Sequence, residues 1–464
     1  MAMDPNMDSP TAPLAAALAL AAASEARSIE ALAALVRIPS LTGEEAAGQH
    51  HIADLLAAIG AEVSSVEPDM DGLFARFPDI AQYPTHWQHD LILPYEDLPT
   101  AGALAASGLE GVLNYRDRPN VVGVLKGSGG GRSLILNGHV DTVTIEPEGA
   151  WTRAPFGAEI ADGLMYGRGT SDMKGGLMAA ILAVTYLREA GVRLRGDIII
   201  QSVVNEEHAG NGTLDLVRRG ITADAAVVLE PTENQVFVSH PGGIYWQVDV
   251  PGIPRSPGAR WKAGAQEGVS AIERLPDVIA ALLAVERDYN TIPTNDPLEQ
   301  DVAAFALVMG RINGGHYETV TAGEVALKGG AYFSGRVGRV QDVMRAFRGA
   351  IGAVNGRSPH LRCDPVKVSF LHHDDSTNQP ATLPVARAMA ATLAGRGAEG
   401  AIRHGPFCCD MRHLVNQGGI PAIIFGPGTI AQAHKPDEHI PLAEYLAAIG
   451  HLIAFIHHWC NADA

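Results

Sequence analysis

The stretch Asp197–Glu207, DIIIQSVVNEE, decides the fold. Its short apolar run reads as a strand buried on both faces, and it stops at Asn205 and two adjacent carboxylates, Glu206 and Glu207. Upstream, Ser133–Leu136 is a second such run, leading into NGHVDT. Lys174–Ala190 carries apolar residues at helical spacing between the two. Downstream, Ala225–Leu229 (AAVVL) is a third strand, ending at Glu230. Buried strands alternating with helices predict an α/β domain, with helices on both faces of a mixed, mostly parallel sheet.

The chain has 464 residues, enough for two or three domains, and a formal net charge of −18. That acidity argues against a nucleic-acid or anionic-membrane partner. Hydrophobic residues at 47% and charged residues at 19% exclude a disordered chain. The four cysteines (Cys363, Cys408, Cys409, Cys460) form neither a disulfide scaffold nor a C-x-x-C pair, which predicts a reducing, cytoplasmic setting. Pro13–Ser24 is apolar, but Asp4 and Asp8 precede it with no Lys or Arg, so it reads as part of an opening helix and not as an export signal. No run of about 20 apolar residues predicts a membrane span.

From Pro241 the pattern changes. Strands over 244–250, 303–312, 325–333 and 366–371 and helices over 269–289 and 340–354 follow a β-α-β-β-α-β order, that of an inserted α+β ferredoxin-like unit. The predicted domains are therefore 1–240 with 372–464, and 241–371. Phe74–Pro119, rich in Pro and aromatics, reads as an irregular insertion near the site or a dimer edge.

Five segments place His and carboxylates where strands end and helices begin, the usual ligand edge of an open α/β sheet. His139 and Asp141 stand two apart, so an extended backbone points both the same way and Asp141 can orient the His139 ring. Asp172, in GRGTSDMKGG, either caps a helix or ligates an ion that the glycines let the backbone approach. Glu206 and Glu207 are costly at a buried strand end unless something positive compensates them. Glu230 and His434 are weak signals singly. Together, two His and three carboxylates suit a pair of divalent metals, with one Glu left for acid/base work.

These motifs resemble the co-catalytic zinc hydrolases that include acetylornithine deacetylase, succinyl-diaminopimelate desuccinylase, aminoacylases and glutamate carboxypeptidase. The likeness runs from RIPS through NGHVDTV, GRGTSDMKGG, NEEHAGNGT and LEPT to EGVSAIERL, FGPG and AHKPDEHIP. It implies that Asp172 bridges two divalent ions, zinc first with cobalt or manganese as alternatives. His139 and Glu230 would complete one site, and Glu207 and His434 the other. It further implies Glu206 as general base, Asp141 as orienter of His139, a cis peptide after Asp172, and a homodimer joined through the inserted unit, which serves as a lid.

Two departures stand out. The lid histidine of the family's G-x-x-x-H pattern, an oxyanion donor, is replaced by Ser256, and losing one such donor costs about 10²–10³ in rate. The segment Gly314–Thr321 offers His316 where relatives carry Asn; His316 is either a replacement donor or an exposed loop residue. Arg412 either meets a substrate carboxylate or pairs with Asp410, and Cys408 and Cys409 read as packing residues. The expected reaction is hydrolysis of an N-acyl amino acid or related small amide. Carboxypeptidase or dipeptidase action and cleavage of a rarer C–N bond (an aromatic amide or amine) are the alternatives. A non-catalytic binding protein is the rival from another class, disfavoured because all five ligands and Glu206 are present.

Overall fold

The computed structural model describes residues 12–88, 101–300 and 302–464 and divides into two compact units. The first holds the described residues up to Ser239 and those from Gln379 onward; the second is His240–Asn378.

The first unit is built on an eight-stranded sheet. Its spatial order is Glu62–Val66, Asn120–Leu125, Ile198–Val203, Leu134–His139, Ala225–Val228, Ala422–Ile424, Val236–Phe237 and Ile402–Arg403. The four central strands, from Ile198–Val203 to Ala422–Ile424, run parallel, and antiparallel pairings appear towards both edges. Alternate residues of Leu134–His139 face opposite ways, yet every one is buried, because helices cover both faces. On one face Ile135, Ile199, Ala226 and Ile424 pack with Leu216, Met411 and Leu414. The other face receives Gly175–Glu189, a helix buried on nearly every side and accordingly apolar all round.

Three sequence expectations shift in position. The strand expected over 133–136 continues to His139, so that residue ends the strand instead of lying in the following loop. The opening helix is two helices, Ala12–Ala23 and Glu25–Val36, broken at Ser24. Of the 74–119 segment, 89–100 lies outside the described residues. The described remainder is not loose: it includes the helix end at Arg76 and a short helix Ala101–Ala106, and it buries Gln82, Tyr83, Thr85, Tyr115 and Arg118.

The second unit is a four-stranded antiparallel sheet in the order Phe305–Gly314, Glu324–Phe333, Gly242–Pro251, Lys367–Asp374. Numbered along the chain this is 2-3-1-4, which the β-α-β-β-α-β reading requires. Helices Ala271–Tyr289 and Val340–Arg357 close a core around Trp246, Phe305, Phe347 and Phe370. The unit extends to Asn378, beyond the expected 371. Its last strand continues past a register shift between Phe370 and His372, and His240 then bridges to Thr377. Among the described residues no helix is long and apolar enough to cross a membrane.

The helix Gly175–Glu189 approaches the sheet so closely that a Cβ on Gly176 would lie 1.9 Å from the carbonyl oxygen of Leu229. Gly176→Ala should therefore lower stability by about 1–3 kcal/mol, read as a shifted denaturation midpoint. An unchanged midpoint would show that helix and strand part freely.

Candidate active site

Three neighbouring parallel strands end on one edge of the sheet, and each delivers a ligand-type residue there. Leu134–His139 ends on His139, Ile198–Val203 leads to Glu206 and Glu207, and Ala225–Val228 leads to Glu230. Asp172 comes from the turn that opens the buried helix. That turn needs a left-handed residue, supplied by Gly169 at φ 83°. His434 follows the short helical turn Ile430–Gln432 and is itself left-handed, at φ 63°. The Asp172–Met173 peptide is cis, as the resemblance implies.

The two oxygens of Asp172 face different histidines. Oδ1 lies 3.3 Å from His139 Nε2, and Oδ2 lies 3.4 Å from His434 Nε2. His139 Nε2 is also 3.8 Å from Glu206 Oε2 and 3.8 Å from Glu230 Oε1, while His434 Nε2 is 2.9 Å from Glu207 Oε2. The other Glu207 oxygen accepts from the Val143 N–H at 3.1 Å. Donor atoms of His139, Asp172 and Glu207 lie within 4.8 Å of one another, as do those of His139, Glu206 and Glu230.

Most of these separations exceed ordinary hydrogen bonds. They match donors sharing an ion, since two ligands each about 2.1 Å from a tetrahedral centre stand about 3.4 Å apart. The donor set, imidazole nitrogens with carboxylate oxygens, is that of zinc and similar divalent ions. The residues thus fit a metal ion, and the Asp172 carboxylate lies between the two histidines.

Charge makes the same case. Burial raises the Glu206 carboxyl well above its usual range, with Glu230 and Asp410 adding to it and His139 and Arg412 opposing. Burial and Asp172 do the same to Glu230. Burial also acts on Asp172, but its interactions with His139 and His434 outweigh it and hold that carboxyl low. Four buried or half-buried carboxylates around two imidazoles leave an excess of negative charge, and bound cations would neutralise it.

The structure corrects one expected contact. The His139 ring is not held by the Asp141 carboxylate, which stands 3.8 Å from Nδ1; that nitrogen meets the backbone carbonyl of Asp141 at 2.8 Å. The carboxylate turns instead to the next strand end. It accepts from the N–H of Glu206 at 3.1 Å, from the N–H of Glu207 at 3.3 Å and from the Thr42 hydroxyl at 3.0 Å. Asp141 thereby orients both the imidazole and the acidic turn, the first through its backbone and the second through its side chain.

Sequence reading missed Glu438. This fully buried carboxylate accepts from the N–H groups of Gly169 (3.0 Å), Ser171 (2.9 Å) and Asp172 (3.1 Å) and pairs with Arg168 at 2.7 Å. It ties the turn bearing Asp172 to the segment bearing His434, and its one legible signal is its place in AHKPDEHIP. Lys174 was missed as well. Its buried ammonium, pushed down to about 7 by burial, donates to the carbonyls of Ile38 (2.8 Å) and Leu35 (3.3 Å) and so fastens the RIPS segment.

Of the three expected substrate contacts, Arg412 is only 3% exposed. Its guanidinium stands 3.9 Å from Glu206 and 3.8 Å from Asp410, placing a cation beside the acid/base candidate. Ser256 and His316 both belong to the second unit, where they are exposed. Their segments are tied by the Arg255 N–H donating to the Thr321 hydroxyl at 2.8 Å. Cys409 is fully buried, which raises its thiol well above the usual range and suits a packing role.

His434 offers a pH test in metal-free protein. The Glu207 charge, opposed by burial and helped by Asp172, raises its pKa to about 11. A histidine raised above its unfolded value of about 6.5 stabilises the fold fully below that pH and loses the effect as pH climbs towards the folded value. The ring is 54% exposed, so solvent screens the magnitude. The melting-temperature gap between wild type and His434→Gln should be widest near about pH 6 and close towards about pH 10. A gap that stays constant or widens would contradict this assignment.

Residues 135–458 match Peptidase family M20/M25/M40. The chain is 30% identical over 365 residues to N-formyl-4-amino-5-aminomethyl-2-methylpyrimidine deformylase of Halalkalibacterium halodurans, covering 75% of this chain and 84% of that one. It is 29% identical over 169 residues to a probable succinyl-diaminopimelate desuccinylase of Staphylococcus epidermidis, covering 36% and 40% of the two chains. Human carnosine dipeptidase 1 shares the fold at a TM-score of 0.68 and 16% identity, over 97% of this chain and 100% of that one. On this family match the chain belongs to the peptidase family M20/M25/M40, as a metal-dependent hydrolase of amide C–N bonds.

Proposed function

We propose that this enzyme removes a small acyl group, formyl first, from an amine carried on an aromatic heterocycle, using two divalent ions per chain. The observation that carries the two-ion reading is the division of the Asp172 oxygens between His139 and His434. His139 and Glu230 would hold one ion with Asp172, and Glu207 and His434 the other. Zinc suits this N/O donor set, with cobalt or manganese as alternatives. When bound, such ions polarise an amide carbonyl and acidify water.

The chain's own residues supply the rest. Glu206, raised by burial, takes the proton of the attacking water and delivers it to the leaving nitrogen. Arg412 stays beside it as a fixed positive charge, 3.9 Å away. Asp141 holds the Glu206 and Glu207 N–H groups, so the acidic turn keeps its direction.

The formyl preference is supported by the named deformylase, with which the match spans most of both chains. Ser256 in the place of the lid histidine is consistent with it. A formyl carbon bears only hydrogen beside its nitrogen, so it is more open to attack than larger acyl groups and relies less on a further oxyanion donor. The second unit serves as lid and dimer surface in this reading. Among the described residues, most of the exposed large hydrophobic side chains lie there, including Ile272, Val308, Ile312 and Tyr317. Four cysteines that form no disulfide suit a reducing, cytoplasmic setting.

The test is formate release from an N-formyl aminomethylpyrimidine, with N-acetyl and N-succinyl amino acids and dipeptides alongside. Wild type should favour the formyl amide, and Glu206→Gln should lower the rate by about 10²–10⁴. Cleavage of dipeptides alone would overturn the substrate reading. Equal rates for the two proteins would overturn the role of Glu206.

A further inference from the structure

The turn that presents Glu206 and Glu207 begins at Asn205, a buried residue held left-handed at φ 64°. Asparagine tolerates that conformation better than most residues, but some compensation is needed to fix it there. Two kinds are present. The Asn205 carbonyl accepts from the N–H of Ala209 at 3.1 Å and of Gly210 at 2.8 Å, closing the loop on itself. Its side chain is gripped at both ends from a distant part of the chain. Oδ1 accepts from the Tyr115 hydroxyl at 2.7 Å, and Nδ2 donates to the Thr85 hydroxyl at 2.5 Å.

The grip is itself anchored. The Tyr115 oxygen accepts from Asn211 Nδ2 at 2.7 Å, and that amide also donates to the Gln82 carbonyl at 2.6 Å. The Tyr115 ring lies under the Arg118 guanidinium, 5.0 Å from its centroid. Arg118 makes a buried two-point bridge to Glu45, with both contacts at 2.7 Å. Burial raises the Tyr115 phenol, so it remains a donor across the working pH range. On the other side of the turn, the Asp141 carboxylate holds the N–H groups of Glu206 and Glu207.

We propose that Tyr115 and Thr85 are positioning residues for the acid/base step, which brace Asn205 and so aim Glu206. This rests on Glu206 being the general base. It assigns a role to two residues of a stretch whose composition reads as an irregular insertion near the site or a dimer edge, and it requires no contact between them and substrate or metal.

Tyr115→Phe removes the hydroxyl and little volume, and Thr85→Val serves if that variant folds poorly. Expected are a fall in kcat of roughly ten- to a hundredfold, an unchanged KM, wild-type metal content, and faster hydrogen exchange at residues 205–210 in metal-free protein. A merely structural role would lower the melting temperature and leave kcat per folded molecule unchanged. Wild-type kcat and exchange in both variants, with Glu206→Gln inactive, would overturn the brace alone. An active Glu206→Gln would overturn the base assignment, and exchange at 205–210 would then report whether the brace exists without it.

Discussion

The arrangement turns on one carboxylate placed between two imidazoles. Asp172 presents an oxygen to each histidine, and the strand ends and loops around it have to respect that division. A buried carboxylate surrounded by Glu206, Glu207 and Glu230 would not stay ionised without positive charge close by. The histidines supply it in the metal-free protein, and divalent ions would supply more. The backbone is committed to the same end: Gly169 turns left-handed, and Glu438 collects the N–H groups of Gly169, Ser171 and Asp172. Because Glu438 follows His434 by only a few residues, one carboxylate holds together the segments that supply Asp172 and His434.

The acidic turn is held in a comparable way from two directions. Asp141 grips it by the backbone N–H groups, while Tyr115 and Thr85 grip it by the Asn205 side chain. The turn bearing Glu206 is thus held from both sides, the kind of support that the proposed general base would need. The buried Arg412 adds a nearby cation without leaving the fold.

Much of this was legible in the sequence because strand ends and short motifs are local. DIIIQSVVNEE and NGHVDT announced their strands and the candidate residues at the strand ends, and the β-α-β-β-α-β order matches the sheet order of the second unit. What escaped was directional or distant. Two-residue spacing put Asp141 beside His139, but the chain leaves the strand at that point, so the carboxylate meets Glu206 and Glu207 N–H groups and the backbone carbonyl meets the ring. Tyr115 and Asn205 are separated by 90 residues, and nothing periodic links them. The last strand of the second unit continues past a register shift after Phe370 to Asp374, and Thr377 still bridges to His240, irregularities that hydrophobic patterning does not encode.

The second unit is where this chain departs most from the pattern it resembles. It carries Ser256 where the resemblance implies a histidine and exposes His316 on a neighbouring segment, whereas all five candidate ligands are present in the first unit. Elemental analysis of metal-reconstituted wild type and Asp172→Ala tests the proposed two-ion centre directly. The account predicts two ions per chain in wild type and loss of both in the variant, because the two sites share that carboxylate. One ion in wild type, or two retained without Asp172, would contradict it.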